Sequence, residues 1–188
     1  MADETKSEIK QVAMELRDAA AAMNGFQRFV YNGTCMNPIL MKGDYLLVQD
    51  ARPEELLFGD IVVYRKQDQF VAHRFLCCRP GEDNALQIIT KSDDRFEEDN
   101  PFHSDFLIGK VVEINKNGKK IKLYGGFKRI ESYLIAAVSV AEAIIFEAMI
   151  EVKRKLFKNV KIKKTFRSKI EKMISMPKLL LLKWFILA

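Results

Sequence analysis

The sequence predicts a mainly β chain with flanking helices, an α+β protein built on a folded antiparallel β-domain. Three observations predict it. Between about residues 26 and 125 the apolar residues fall in short runs rich in β-branched and aromatic side chains. Turn signals bearing Gly, Asp, Asn or Pro separate those runs. On either side the hydrophobic period becomes that of a helix. The predicted organisation is an N-terminal helix over 1–25, a β-domain over 26–125 and a helical region over 126–188. A chain of 188 residues is long enough for one such core with appendages.

The elements follow in order. Over residues 3–23, Ile9, Val12, Ala13, Leu16 and Ala20 recur at helical spacing, and Asn24-Gly25 ends the run. Seven strands are expected next: Phe29 to Tyr31, Tyr45 to Val48, Asp60 to Tyr64, Phe70 to Phe75, Leu86 to Thr90, Leu107 to Ile114 and Lys120 to Tyr124. Lys42-Gly43-Asp44, Phe58-Gly59-Asp60, Pro80 to Asn84 and Asn115 to Gly118 supply turns between them. After Gly125-Gly126, Tyr133 to Ile150 is almost wholly apolar, with Glu142 and Glu147 as its only charges. Two carboxylates within a span would each cost roughly 2.5–3.5 kcal/mol. That segment is therefore expected to pack on the β-domain or lie at a membrane surface. Val152 to Ile174 reads as a basic amphipathic helix, and Leu179 to Leu187 as an interfacial segment with Trp184 at headgroup depth.

Charge divides the chain. Residues 151–188 hold 12 Lys/Arg against 2 Asp/Glu, so the net charge of +6 comes from the tail and not from the body. Such a tail implies an anionic partner, and an anionic membrane surface contacted through 151–188 is the leading expectation. A protein partner docking on the C-terminal helices is the alternative. Nucleic acid is disfavoured, because Lys161 to Lys172 offers few aromatic side chains for base stacking. Three cysteines, two of them adjacent, fit no disulfide framework and suggest a reducing compartment. The charged stretch from Met1 to Asp18 does not read as a signal peptide. The chain is thus expected to be membrane-peripheral, with its β-domain on the cytoplasmic side.

Chemistry gathers in three pieces. The first is Gly33-Thr34-Cys35-Met36-Asn37-Pro38, followed by Gly43-Asp44. The second is Gly59 to Tyr64, followed by His73-Arg74. The third is Thr90-Lys91-Ser92-Asp93-Asp94 with Glu98-Asp99, closed by Gly109-Lys110-Val111. They offer a nucleophile, a base and acids, the parts of nucleophilic acyl transfer. Each has an ordinary reading alone. A free cysteine is usually packing. A histidine at a strand end is usually structural. The acidic run is usually a solvated turn or a weak calcium loop, though it lacks the alternation and central glycine of an EF-hand. His103 has no ligand-spaced companion, so no metal and no cofactor is expected.

The joint order of the pieces resembles the signal peptidase I superfamily, over about Gly33 to Ile114. The family's Gly-x-Ser-Met-x-Pro with a later Gly-Asp is similar to Gly33 through Pro38 with Gly43-Asp44. Its Gly-Asp-Ile-Val-Val-aromatic strand is similar to Gly59 through Tyr64. The endoplasmic-reticulum branch, shared with archaea and some bacteria, carries a His-Arg pair like His73-Arg74. It also carries Thr-Lys-Gly-Asp with acids five and six residues later, as Thr90 to Asp93 with Glu98-Asp99. The resemblance implies a peptidase that cleaves a leader or signal peptide after small residues, with a peptide or preprotein as substrate. It implies Cys35 as nucleophile where the family has Ser, His73 as base, Asp99 as orienting acid and Asp93 as second acidic candidate. Gly33, Thr34, Met36 and Pro38 would frame the substrate and oxyanion side, with the Cys35 N–H as a donor. The chain departs from the family at Cys35, at Gly33-Thr34 and at Ser92, and it has no N-terminal apolar span. A catalytically impaired relative that binds peptides or a membrane complex is the alternative implied by the Cys.

Overall fold

The computed structural model describes residues 25–81 and 85–156, with Leu16 and Ala19, and for 153–156 only the backbone. Of the predicted N-terminal helix only Leu16 and Ala19 are described, and the basic and apolar segments beyond Leu156 lie outside the described residues.

Eight strands form one antiparallel, curled sheet: β1 (Phe26–Val30), β2 (Tyr45–Gln49), β3 (Ile61–Lys66), β4 (Gln69–Pro80), β5 (Leu86–Lys91), β6 (Phe102–His103), β7 (Leu107–Lys116) and β8 (Lys119–Lys122). The order is β1-β2-β7-β3-β4-β5-β6. β7 spans the middle. One edge pairs with β2, and the other pairs first with β3 and then with β8. The β7–β8 hairpin turns on Asn117 and Gly118, both at positive φ (49° and 87°), the geometry an Asn-Gly turn supplies without strain.

Two apolar clusters cover the two faces of the sheet. Ile61 and Val63 enter one, with Leu46, Val48, Val111 and Ile114. Val62 and Tyr64 enter the other, with Phe75 and Ile88. β3 is therefore buried on both sides, which is why its sequence is an unbroken apolar run. The β2–β7 register slips between Leu47 and Val48, so Val111 and Ile114, three apart, reach the same side. At Gly109 an added Cβ would lie 2.1 Å from the Gln49 carbonyl oxygen, so only glycine lets β7 pass that backbone.

The two Gly-Asp turns share one construction. Gly43 and Gly59 take φ of +96° and +90°. The next aspartate then accepts the N–H of the residue three before it, Met41 for Asp44 and Leu57 for Asp60, at 2.8 and 2.9 Å. A cation neutralises each carboxylate: Lys116 at 2.9 Å from Asp44, and Arg129 against Asp60. The Tyr31 N–H bonds the Asp44 carbonyl at 2.8 Å, and the Gly43 N–H bonds the Tyr31 carbonyl at 2.8 Å, carrying the β1–β2 ladder to the edge of the Cys35 turn.

One helix, α1 (Phe127–Leu156), follows Gly125-Gly126. It takes in the apolar stretch from Tyr133, and Arg129 near its start is engaged with Asp60. By length and composition, Phe127–Val152 is long and apolar enough to cross a membrane, with a mean hydropathy of 1.9. One side of it rests on the β-domain through Ile135, Ala136 and Phe146, with Phe146 stacked on Phe96 at 4.8 Å.

Candidate active site

Alternation along β4 and β5 sorts two dipeptides. His73 stands opposite Val62, whose side chain lies in the Tyr64–Phe75 cluster. Arg74, the next residue, is on the other face, opposite Lys91. Thr90 shares the His73 face and Lys91 the Arg74 face. One face thus receives His73 and Thr90, while the other receives Arg74 and Lys91 below α1.

On the first face three segments meet. Cys35 Sγ lies 3.1 Å from His73 Nε2, and His73 Nδ1 lies 2.5 Å from Asp99 Oδ2. The Thr90 hydroxyl donates to the same Asp99 oxygen at 2.7 Å, and the Asp99 N–H bonds the Thr90 carbonyl at 2.8 Å, so Thr90 fixes the acid from side chain and backbone. The Asp94 N–H bonds the Cys35 carbonyl at 3.1 Å, tying the thiol turn to the acidic loop. Tyr31 adds a contact with no clear signal in the sequence. Its Oη lies 3.1 Å from Cys35 Sγ and accepts the Met36 N–H at 3.1 Å. A Cβ at Gly33 would stand 2.7 Å from that Oη, so Gly33 makes room for it. A tyrosine at a strand end reads as core in a sequence, and Tyr31 is indeed buried.

The electrostatics follow from these contacts. Burial opposes charge on His73, but the bonds to Asp99 and Cys35 outweigh it and push its pKa up to about 9. Burial pushes the Cys35 thiol up, while the bonds from His73 and Tyr31 and the field of His73 bring it below its ordinary value. Asp99 is raised by burial and lowered more by His73, and ends below the usual carboxylate range. Burial and the nearby Cys35 raise the Tyr31 phenol, so it stays protonated as a donor. Cys77 and Cys78 lie along β4, and burial pushes Cys78 up. The arrangement favours a thiolate beside an imidazolium at Cys35 alone.

Asp93 goes elsewhere. Arg74 grips it with two bonds, Nε to Oδ1 at 2.9 Å and Nη2 to Oδ2 at 2.7 Å, both side chains being 1% exposed. Arg74 Nη1 also donates to the Gly59 carbonyl at 2.8 Å and the Ser132 hydroxyl at 3.3 Å. Lys91 Nζ donates to the Ser139 hydroxyl at 2.6 Å and to the Arg95 carbonyl. These cations anchor α1 and the acidic loop, so Asp93 is structural here and not a second acid on His73. Met36, expected on the substrate side, is wholly buried in the core behind the turn, and its N–H is taken by Tyr31. The Pro38 carbonyl accepts from Lys116 at 3.2 Å, the Asn37–Pro38 peptide is cis, and the Thr34 carbonyl accepts the Asn37 N–H at 3.1 Å. Pro38 and Gly33 therefore shape the turn, while Thr34 is exposed beside Cys35. Among the described residues the Cys35 N–H meets no acceptor. Among them, too, no His, Cys, Asp and Glu cluster is arranged to hold a metal ion.

No family model matches the chain, and no curated protein matches it.

Proposed function

We propose that the chain is a signal-peptidase-like endopeptidase that acts through Cys35, His73 and Asp99. The observation that carries this reading is the hydrogen-bonded line from Cys35 Sγ to His73 Nε2 and from His73 Nδ1 to Asp99, assembled from three separate segments. Nucleophile, base and orienting acid in that order are what acyl transfer requires. The motif order described above adds the family and the signal-peptidase type of β-domain. It also adds the substrate class, a leader or signal peptide cut after small residues.

The chemistry proceeds in two halves. The Cys35 thiolate attacks the scissile carbonyl carbon; a C–S bond forms and the carbonyl electrons move to oxygen. The Cys35 N–H, which has no acceptor among the described residues, is placed to receive that oxyanion. As the C–N bond breaks, imidazolium His73 gives its proton to the leaving amine, and a thioester remains. Water then attacks the thioester and yields its proton to His73. The C–S bond breaks, releasing a carboxylic acid that ionises to solvent and restoring the thiolate–imidazolium pair. Asp99 holds the imidazole in one tautomer throughout.

β1 pairs only with β2 among the described residues and leads within five residues from Val30 to Cys35. An extended peptide adding to this edge would pass the thiol. In the same reading the protein is membrane-peripheral, held by residues 151–188 with the β-domain on the cytoplasmic side.

A peptide-based acylating probe, such as a peptide p-nitrophenyl ester or acyl phosphate, followed by intact-protein and peptide mass spectrometry, tests the proposal. Acylation of Cys35 that is lost in His73→Ala supports it. Acylation of Cys77 or Cys78 instead, or acylation of Cys35 indifferent to His73, rejects the thiol–imidazole site. Acylation without turnover of any leader peptide favours the peptide-binding alternative.

A further inference from the structure

The amphipathicity of α1 is inverted. Its inward side carries Glu131, Ser132, Ser139 and Glu142, all buried, alongside Ile135, Ala136 and Phe146. Its outward side carries Phe127, Ile130, Leu134, Ile144, Ile145 and Val152, all exposed. At about 100° of turn per residue, these six positions fall within one arc of roughly 100° around the helix, so they form one stripe. A helix on a water-soluble domain ordinarily buries such a stripe and exposes its polar residues. Here the domain supplies polar partners to the inward side, Arg74 to Ser132 and Lys91 to Ser139. The apolar stripe faces away from the β-domain. A continuous exposed patch of that kind marks a contact surface.

We infer that the outward face of α1 is a lipid-contacting surface that lies in the plane of an anionic membrane. The inference deepens the membrane placement proposed above and is independent of the thiol chemistry. Charge selects lipid over a second copy of the chain. α1 runs directly into residues 151–188, where 12 Lys/Arg face only 2 Asp/Glu. A second copy of the chain would bring the same positive charge and nothing to neutralise it. An anionic bilayer neutralises that charge while its acyl chains cover the stripe. The same geometry opposes a span. Lys91, Arg74 and Phe96 hold the inward side to the β-domain along the helix, so crossing a bilayer would strip those bonds from a buried lysine and a buried arginine.

The test uses the full chain and its single tryptophan. In a Trp184→Phe background, Leu134→Trp places the only indole on the outward stripe, where Leu134 is exposed. Vesicles of phosphatidylcholine and phosphatidylglycerol, with bromines at shallow or deep acyl positions, are added. Blue-shifted emission with stronger quenching by shallow bromines is expected. The pair Ile144→Asp and Ile145→Asp should weaken vesicle binding at least tenfold, while Cys35 alkylation keeps its wild-type rate and so reports an intact β-domain. Flotation with unshifted emission overturns the inference, because the tail then binds alone. Strongest quenching by deep bromines overturns it in favour of a span. A blue shift that depends on protein concentration without vesicles overturns it in favour of a second copy. Loss of flotation in every form removes the membrane placement itself, with the thiol site untouched.

Discussion

Tyr31 Oη and Cys35 Sγ lie 3.1 Å apart, and the same Oη accepts the Met36 N–H at 3.1 Å. Accepting that N–H turns the phenol's own hydrogen toward the sulfur. The phenol is raised well above neutrality by burial and by Cys35, so it donates and does not compete as a base. Tyr31→Phe should therefore move the Cys35 titration upward and slow its alkylation at pH 7 by on the order of tenfold, about one hydrogen bond to an anion. The alkylation rate against pH is the measurement. Gly33→Ala should act in the same direction, because its Cβ would press on Tyr31 Oη at 2.7 Å. An unchanged titration in both variants would mean that Tyr31 only fills space.

His73 should titrate far above an ordinary imidazole. Its pKa of about 9 rests against burial, first on Asp99 and next on Cys35. The midpoint should therefore fall in Cys35→Ser and fall further in Asp99→Asn. Imidazole NMR resolves this simply, since the chain has two histidines and His103 is partly exposed. The linkage has a definite sign. A pKa raised above the unfolded value near 6.5 contributes stability that is complete below about pH 6.5 and is lost as pH climbs through about 9. Cysteine acylation should trace a bell. The acid limb marks protonation of the thiolate, and the alkaline limb near 9 marks loss of the imidazolium that protonates the leaving amine.

Much of the β-domain is legible in the sequence, for physical reasons that also explain what is not. β3 shows itself as an apolar run because both its faces are covered, and β7–β8 because Asn117-Gly118 fits its turn. β6 is only Phe102–His103, too short to have a period. β4 continues through Cys77 to Pro80 past a bulge between Phe75 and Cys77, which breaks the alternation that would have extended it. Hydrophobicity places α1 near the domain but does not say which side faces it, since the buried side mixes Glu131, Ser132, Ser139 and Glu142 with Ile135, Ala136 and Phe146. The polar partners Arg74 and Lys91 come from distant strands and have no local signature. Cys35, His73 and Asp99 are 38 and 26 residues apart. Their meeting is readable only through motif order, and Tyr31 not even through that.

Gly59 couples the sheet to α1. It holds φ of +90°, and a Cβ there would stand 2.7 Å from the Ser132 carbonyl oxygen and 3.3 Å from Ala136 Cβ. Gly59→Ala thus combines a left-handed backbone with a push on the helix, at a cost of roughly 1–3 kcal/mol. Chemical denaturation should show that loss. Limited proteolysis should show α1 released first, since Gly59 also supplies the carbonyl that Arg74 and Ser132 share.

Asp93 and Asp99 lie in one acidic loop and should fail differently. Asp99 faces His73 and Thr90, where an amide presents the wrong group to Nδ1. Asp99→Asn should leave the fold standing and lower acylation by roughly 10³–10⁴-fold, the size seen when an orienting carboxylate becomes an amide. Asp93 faces Arg74, and both side chains are buried. Asp93→Ala leaves a guanidinium inside without its carboxylate and should cost about 3–5 kcal/mol of stability. Denaturation midpoints and single-turnover acylation, measured on both variants below their unfolding transitions, separate the two. Replacing Arg74 and Asp93 together by Met and Leu should recover part of the lost stability, because the uncompensated buried charge is gone. If Asp93→Ala instead abolishes acylation at full stability while Asp99→Asn acylates normally, the acid belongs to Asp93 and the line from Cys35 to Asp99 is not the reacting one.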